Sequence, residues 1–366
     1  MTTEARLRRT PLIEAHLESN ARLVEYAGWS MPVLYTSILE EARAVRNGVG
    51  IFDISHMGRA RIAGTGAVEL LQKLTTNDVD VLSPSEAHYS LLANPMGGII
   101  DDIIVYRESN DAFLVVINAG NTAKDLDWIK SHQNSGVGLA DNTDSTAMIA
   151  VQGPVAPAMV AALAGDSTLL SLKRFQYAKG TISGSVATFC RTGYTGEDGF
   201  EIIVPAENAV NVWKRLRAEG AVECGLGARD ALRIEAGYPL YGHEIDDQTS
   251  PVEAGLMWVV HLEKGDFIGS DPIRRAKVAG PSRKLVGFKS EERQQPRQGY
   301  GIYADTNLVG TITSGVFSPA LNHGIAMGYI STPYARPGTR VEIAIRDKRI
   351  RALVCAKKSL LCTSSL

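Results

Sequence analysis

The sequence predicts an α+β protein that ends in a separate all-β domain, and three observations lead to this prediction. Amphipathic helical stretches and apolar strands alternate over residues 1–275. A polar stretch with Gly and Pro, Lys277 to Arg283, is typical of a linker. The strand-like stretches beyond it lie near residues 285–289, 308–313, 325–330, 340–345 and 350–355. We therefore expect two units, residues 1–275 and 282–366, the second a small sandwich or barrel.

The composition excludes several classes of function. Of the 366 residues, 45% are hydrophobic and 21% charged, as in ordinary globular proteins. The net charge of −2 gives no overall field that would attract nucleic acid or an anionic membrane. No apolar run is long enough to span a membrane, and Met1 to Arg6 lacks the apolar core of a signal peptide. We expect a cytoplasmic protein with no nucleic-acid partner and no membrane partner.

The cysteines do not have the spacing of a metal or redox site. The four cysteines are Cys190, Cys224, Cys355 and Cys362, and none of them forms a Cys-x-x-Cys pair or lies beside a paired His motif. Reduced thiols in a reducing compartment are the simplest interpretation. We expect no metal.

The N-terminal elements begin with a helix that Thr10 is expected to cap and Pro11 to start. The segment from Ala27 to Pro32 is expected to be a compact loop in which Trp29 anchors the core. Further helices are predicted near residues 38–45, 66–74, 121–129, 206–216 and 231–236.

A Ser-His pair next to an Asp, Asp53-Ile54-Ser55-His56, raises the possibility of a hydrolase triad. Adjacent residues on a strand point to opposite faces, so Ser55 and His56 would not face each other. The sequence also lacks a Gly-x-Ser-x-Gly elbow. The residues therefore do not favour a triad.

Two carboxylates lie near the start of an otherwise apolar strand. Three antiparallel strands are predicted, at 87–93, 99–106 and 113–118. By alternation, Asp102 shares one face with Ile104 and Tyr106, which has the mixed character of a pocket wall, whereas Asp101 lies on the core face. If the turn between the second and third of these strands is centred near Asn110, Asn118 lies opposite Asp102 on the same face. Taken alone, an Asp after Gly-Gly is most often a turn residue. We assign the role of turn residue to Asp101, and we expect its replacement by Asn to preserve much activity.

The second half of the chain has two further polar positions within apolar surroundings. The Gly-rich segment Arg191 to Glu201 is either a solvated hairpin tip or a loop that approaches a ligand closely. Glu201 is a carboxylate at the start of a strand, and Tyr194 precedes it on the loop. Arg229 falls in the first turn of a helix, where a cation is disfavoured. It therefore needs a partner, either Asp230 or an anionic ligand.

The motifs, taken in order, resemble the aminomethyltransferase of the glycine cleavage system, its T-protein. The matching stretches are Arg9-Thr10-Pro11-Leu12, Ala27-Gly28-Trp29-Ser30-Met31-Pro32, Phe52-Asp53-Ile54-Ser55-His56-Met57-Gly58, Gly97-Gly98-Ile99-Ile100-Asp101-Asp102, Gln152-Gly153-Pro154, Gly193-Tyr194-Thr195-Gly196-Glu197-Asp198-Gly199, Gly225-Leu226-Gly227-Ala228-Arg229-Asp230, Glu235-Ala236-Gly237, Leu240-Tyr241-Gly242, Thr313-Ser314-Gly315 and Phe317-Ser318-Pro319. No single stretch is decisive, but their common order across almost the whole chain is specific.

The resemblance implies a three-domain cloverleaf in which two interleaved α+β lobes and a C-terminal β-barrel domain surround a folate channel. It implies that an aminomethyl group on the lipoyl arm of a partner, the H-protein, loses ammonia and passes its one-carbon unit to tetrahydrofolate as the 5,10-methylene form. It also implies a site in which Asp102 is catalytic. The implied folate-binding residues are Glu201, Arg229, Asn118, Tyr89, Tyr106, Tyr194 and Met57.

These residue types suit that chemistry. A carboxylate such as Glu201 can accept from the amide-like donors of a pterin, and Arg229 can bind an anion such as the glutamate tail. A fixed carboxylate at Asp102 can stabilise a cationic one-carbon species and orient the attacking folate nitrogen. The tail from Lys357 to Leu366 lacks the Pro-Phe and later Tyr that members of the family often have, so a folate contact from this tail cannot be transferred from the family.

Two other functions remain open at this point. A tetrahydrofolate-dependent demethylase that acts on a small sulfonium, amine or ether donor would share the folate site. A non-catalytic folate-binding or iron–sulfur-assembly relative would have a Lys-Gly-Cys-Tyr-x-Gly-Gln-Glu type of motif. The chain has Arg191-Thr192-Gly193-Tyr194-Thr195-Gly196-Glu197 at that place, which disfavours the second alternative.

Overall fold

The computed structural model describes residues 7–318 and 320–361. Outside the described residues lie Pro319 and the segments 1–6 and 362–366. They include Cys362 and Met1 to Arg6, the segment that lacks the apolar core of a signal peptide. The helices are α1 Ile13–Glu18, α2 Ile38–Asn47, α3 Ala67–Leu74, α4 Thr122–Ser131, α5 Ala156–Ala164, α6 Ala209–Ala218, α7 Leu226–Ala236 and α8 Ser270–Ala279. The strands are β1 Arg8–Arg9, β2 Arg22–Tyr26, β3 Trp29–Leu34, β4 Gly50–Asp53, β5 Gly58–Ala63, β6 Ala87–Ala93, β7 Ile99–Ser109, β8 Ala112–Ile117, β9 Gly138–Asp141, β10 Thr146–Gln152, β11 Tyr177–Ile182, β12 Ser185–Cys190, β13 Gly199–Pro205, β14 Val222–Glu223, β15 Arg283–Ser290, β16 Gly301–Ala304, β17 Asn307–Ser318, β18 His323–Ser331, β19 Arg340–Ile345 and β20 Lys348–Cys355.

The first part of the molecule contains a small three-stranded sheet, β1-β3-β2, and two larger sheets, and the chain passes between the two larger sheets twice. The order β6-β7-β8-β5-β9 makes a five-stranded sheet, and β11-β12-β13-β10-β4-β14 makes a six-stranded one. Because β4 and β10 belong to one sheet while β5 to β9 belong to the other, the two lobes are interleaved. The predicted α+β class is therefore confirmed, including the three antiparallel strands β6, β7 and β8.

Each sheet buries an apolar face beneath its own helices. Helices α3 and α4 cover the five-stranded sheet through Leu70, Leu71 and Ile129. Helices α5 and α6 cover the six-stranded sheet, where Trp213 is completely buried. A further apolar cluster joins α2 and α7 to the facing surfaces of both sheets. The molecule therefore has a separate core behind each sheet and a partly polar space between them.

The C-terminal unit is a closed barrel in the order β15-β18-β17-β16-β19-β20. Its predicted strands are all present. The short strand β16, only four residues long, was missed because it is too short for a clear alternation pattern. The predicted linker over 277–283 is wrong at both ends, because α8 continues to Ala279 and β15 begins at Arg283.

Two N-terminal predictions also change. Helix α1 begins at Ile13 with Leu12 in the N-cap position, so Thr10 and Pro11 precede the helix. The Thr10 hydroxyl donates to Asp53 Oδ2 at 2.6 Å and accepts from the backbone N–H of Leu12 at 3.3 Å. Trp29 is 4% exposed and does anchor the core, but it lies in β3 of a hairpin with β2 and not in a loop. Within the described residues, no helix is both long enough and apolar enough to cross a bilayer.

Candidate active site

A large cavity of about 1300 Å³ lies between the two sheets, helix α7 and the edge of the barrel. It exceeds the roughly 300–1,000 Å³ of ordinary ligand pockets. Seven of the eight sequence-predicted site residues line it, namely Met57, Tyr89, Asp102, Asn118, Tyr194, Glu201 and Arg229. The cavity therefore brings together residues that are up to 172 positions apart in the sequence (57 and 229), and its volume admits two reactants at once.

Asp102 lies on the cavity face of β7, as the alternation predicted. Its Oδ2 accepts a hydrogen bond from the Tyr89 hydroxyl at 3.0 Å, and its Oδ1 accepts one from Asn118 Nδ2 at 2.8 Å. Tyr89 comes from β6, and Asn118 directly follows β8, so the neighbouring strand on each side supplies one donor. These two hydrogen bonds fix the orientation of the carboxyl group before any ligand binds.

The electrostatic surroundings raise the pKa of Asp102 from 3.8 to about 7. Burial is the main cause, because it penalises the charged form, and the neighbouring charge of Asp101 adds to it. The hydrogen bonds from Tyr89 and Asn118 act in the opposite direction. Asp102 is thus a carboxyl group that can exchange a proton near neutral pH, as a general acid or base requires.

We expect Asp102→Asn to stabilise the protein at neutral pH. A carboxyl group whose pKa is raised on folding binds more protons in the folded state, so the free energy of unfolding falls as pH rises from about 4 to about 7. Asn does not titrate and avoids this loss, which we put at on the order of 1 kcal/mol because the cavity admits solvent. Urea unfolding of both proteins from pH 4 to 8 measures the difference. A constant difference across this range would contradict the expectation.

Asp101 is not the turn residue that the sequence predicted. It lies inside β7 with 0% exposure, and Asn121 Nδ2 donates to its Oδ1 at 2.6 Å. Asn118 also donates to Asp101, through its backbone N–H at 3.1 Å and its side-chain Nδ2 at 2.9 Å. The core face was predicted correctly, but Asp101 uses its carboxylate as a buried acceptor on that face. The loop residues that follow β8, Asn118 and Asn121, provide the donors.

Glu201 is the buried acid at the opposite wall of the cavity. Thr192 Oγ1 donates to its Oε2 at 2.5 Å, and the Tyr106 hydroxyl lies 3.1 Å from the same Thr192 Oγ1. Tyr106 is completely buried and lies behind the cavity wall, so the prediction that it lines the site is wrong. Its ring packs edge-to-face against Tyr177 of the second sheet, with ring centres 5.7 Å apart. Its part in the site is to hold Thr192 beneath Glu201.

Within residues 7–318 and 320–361, Arg229 forms no ion pair with a carboxylate. Its guanidinium stacks over the Tyr194 ring, with Cζ 4.8 Å from the ring centre, and its Nη1 is buried without a hydrogen-bond partner in the described part of the chain. Asp230, one of the two partners considered from the sequence, pairs instead with Arg233 at 2.8 Å. Arg229 is close enough to lower the pKa of Glu201, which burial raises. An unsatisfied cation therefore lies near a buried acid at one end of the cavity.

Several cavity residues are not among those that the sequence predicts for the site. His56 is buried, its Nδ1 has no hydrogen-bond partner among the residues that the structure describes, and it is neutral at physiological pH because burial lowers its pKa to about 4. Trp258 is 63% exposed and stacks on Tyr89 with ring centres 5.6 Å apart. Lys357 lines the cavity from the C-terminal tail, for which no folate contact could be transferred from the family, and donates to Ala254 O at 2.6 Å. Of the three, only Trp258 carries a signal in the sequence, because it is a large aromatic residue near a loop rich in acids. The positions of His56 and Lys357 at the cavity depend on the tertiary fold.

Comparison with known proteins decides the family. The model of the GCVT N-terminal domain matches residues 12–264, and that of the glycine cleavage T-protein C-terminal barrel domain matches residues 283–359. The chain belongs to the glycine cleavage T-protein family. It is 44% identical over 348 residues to an aminomethyltransferase of Halothermothrix orenii, with 94% of this chain and 97% of the relative covered. It is 45% identical over 359 residues to that of Symbiobacterium thermophilum, with 95% and 96% covered.

The fold agrees with the family. The crystal structure of the glycine cleavage system aminomethyltransferase T from Bartonella henselae superposes with a TM-score of 0.91 at 34% identity, covering 96% of this chain and 98% of that one. The predicted resemblance, the cloverleaf class with its C-terminal barrel, and the assignment as an aminomethyltransferase enzyme of the glycine cleavage system are therefore confirmed. The demethylase and the non-catalytic relative are not favoured. The family uses tetrahydrofolate as co-substrate.

The cavity residues fit a folate. Glu201 offers buried acceptors for the N–H groups of a pterin, and the unsatisfied Nη1 of Arg229 offers a donor for a carbonyl or carboxylate oxygen. The aromatic rings of Tyr194 and Tyr89 suit the flat middle of such a ligand. Among the described residues, no group of three or more His, Cys, Asp or Glu side chains is placed to hold a metal ion.

Proposed function

We propose that this chain transfers a one-carbon unit from the aminomethyl-lipoyl arm of a carrier, the H-protein, to tetrahydrofolate. The carbon atom loses its bonds to the amine nitrogen and to the lipoyl sulfur and gains bonds to two folate nitrogens. The protons of those two nitrogens leave with the products, which are ammonia, dihydrolipoyl carrier and 5,10-methylenetetrahydrofolate. The observation that carries this proposal is the Asp102 carboxyl group, held by two donors on the wall of a cavity large enough for both reactants.

Asp102 has the central chemical role in this proposal. Its ionised form stabilises positive charge that develops on the one-carbon unit as ammonia leaves. Because its pKa is raised to about 7, it also accepts a proton from the attacking folate nitrogen near neutral pH. Tyr89 and Asn118 orient the carboxyl oxygens, and we assign them a positioning function beside any direct contact with folate.

Glu201 and Arg229 are proposed to hold the same end of the folate. Both side chains line the cavity, and the charge of Arg229 lowers the pKa of Glu201. A pterin has N–H donors and a carbonyl acceptor along one edge, and an acid beside a guanidinium complements that edge. Tyr194 is held flat beneath Arg229 and donates to Pro239 O, and Met57 adds an apolar contact.

The partner and compartment belong to the same proposal. The lipoyl group supplies the one-carbon unit, and the protein supplies orientation and a fixed charge. The buried thiols of Cys190 and Cys224 suit a reducing compartment, so we retain the cytoplasm as the expected location.

A reconstituted assay tests the proposal. Purified protein is supplied with tetrahydrofolate and the aminomethylated lipoyl carrier, and ammonia and methylenetetrahydrofolate are measured together. Equal amounts of the two products, both dependent on the carrier, are expected. If tetrahydrofolate binds tightly but no product forms with the lipoyl donor, the proposal is overturned and a demethylase of the same fold becomes the better assignment.

A further inference from the structure

A second layer of acids lies behind Asp102, on the side away from the cavity. Asp101, next to it on β7, and Asp125, on α4, are both 0% exposed. The Asp125 carboxyl group makes a side-chain hydrogen bond with Asp101. Three carboxyl groups are thus linked in a row, because Asn118 Nδ2 joins Asp101 to Asp102 at 2.9 and 2.8 Å.

The donors in this row are shared unequally. Asp101 accepts from the backbone N–H of Asn118, from Asn118 Nδ2 and from Asn121 Nδ2. Neither oxygen of Asp125 accepts a hydrogen bond from any N–H or O–H donor in the described parts of the chain, residues 7–318 and 320–361. A buried carboxylate with no donor is strongly disfavoured, whereas a protonated carboxyl group beside a carboxylate can donate to it. The geometry therefore favours a proton on Asp125 and a negative charge on Asp101.

The other charged groups near Asp125 do not supply the missing donor. Lys124 favours the charged form of Asp125, but its Nζ donates to Ile100 O at 2.6 Å and to the Tyr241 hydroxyl at 3.1 Å. Asp102 opposes a charge on Asp125. Burial, followed by the charge of Asp101, raises the pKa of Asp125 well above the ordinary value. All of these groups lie on α4, on β7 or on the segment that contains Tyr241.

We propose that Asp125 is a positioning residue for the reaction, because its proton completes the hydrogen-bond shell of Asp101 and keeps Asp101 as a fixed anion behind Asp102. The inference rests on the catalytic role of Asp102 in the proposed function. The fixed anion is what raises the pKa of Asp102 beyond the effect of burial. Asp125 thus acts on the reacting carboxyl group through one intervening carboxylate, without touching either substrate.

Infrared spectroscopy tests the protonation state without any turnover. At about pH 8.5 Asp102 is ionised, so the difference spectrum between wild type and Asp125→Asn isolates the remaining buried acid. We expect a protonated-carboxyl carbonyl band that is present in wild type and absent in the variant. Asp127→Asn, an exposed Asp on the same helix, is the matched control and should remove only a carboxylate signal. A carboxylate signal lost from Asp125→Asn would overturn the proposal.

The pH dependence of turnover tests the consequence. Asp125→Ala removes the donor to Asp101, so Asp101 takes up a proton more readily and Asp102 no longer faces an anion. The acid limb of the pH–turnover profile should therefore move to lower pH by about one unit. Asp125→Asn supplies an amide donor in place of the carboxyl proton, so the acid limb of its pH–turnover profile should lie where it lies in the wild type. Equal shifts in both variants would mean that Asp125 is itself an anion, and the inference would then be wrong. If the lipoyl assay shows no turnover at all, the infrared result still decides the protonation state.

Discussion

Asp102→Asn is expected to lower turnover by about 10³-fold and to leave the dissociation constant for tetrahydrofolate within about threefold of wild type. Asn has nearly the same shape and can still accept from Asn118, so the cavity wall is preserved. It has no charge with which to stabilise a cationic one-carbon unit, and it cannot accept a proton. Single-turnover product formation and equilibrium folate binding measure the two effects separately.

Asp101→Asn is the comparison that shows whether the reaction depends on one carboxyl group or on the pair. From the sequence alone this change was expected to preserve much activity. Because Asp101 is a buried acceptor of three amide hydrogen bonds, we now expect its replacement to lower turnover by about 10-fold and to move the acid limb of the pH–turnover profile to lower pH. Equal losses in the two variants would show that the direction of Asp102 toward the cavity does not distinguish their roles.

Alternation along β7 was enough to separate the two acids by face, because a strand directs neighbouring side chains to opposite sides. It was not enough to describe what each face meets. Tyr106 shares a face with Asp102, yet four residues along the strand that face is covered by Tyr177 of the second sheet. The two-residue period and the register of a strand predict the face on which a side chain lies. Whether that side chain reaches a cavity depends on how the two sheets pack against each other.

The contact between Asp101 and Asp125 illustrates a second limit. Asp125 falls in a predicted helix and follows Asp101 by 24 positions, so its hydrogen bond depends on the rotation of α4 over the sheet. Lys357 depends in the same way on the return of the C-terminal tail to the cavity. The order of short motifs was informative because several of them, including those around Met57, Asp102, Tyr194 and Arg229, contribute residues to the cavity, and seven of the eight expected side chains line it.

Glu201→Gln is expected to weaken tetrahydrofolate binding by about 100-fold and to change the rate at saturating folate much less. Burial raises the pKa of Glu201, while the Thr192 hydroxyl and the nearby Arg229 charge lower it, so the charged form is supported on the protein side. Gln removes that charge and turns one acceptor into a donor, which would face the N–H groups of the ligand. Isothermal titration with tetrahydrofolate measures the loss.

Tyr106→Phe is the control for Glu201, because it removes the hydroxyl 3.1 Å from Thr192 and leaves the carboxylate in place. A weakening of only about threefold is expected, since Thr192 still donates to Glu201. If Tyr106→Phe and Glu201→Gln weakened binding equally, Glu201 would be acting through the packing of the wall. If Glu201→Gln lowered the rate and preserved affinity, the acid would belong with Asp102 in the chemical step. The expected split assigns the two acids to different tasks: Glu201 binds the folate, and Asp102 promotes its reaction.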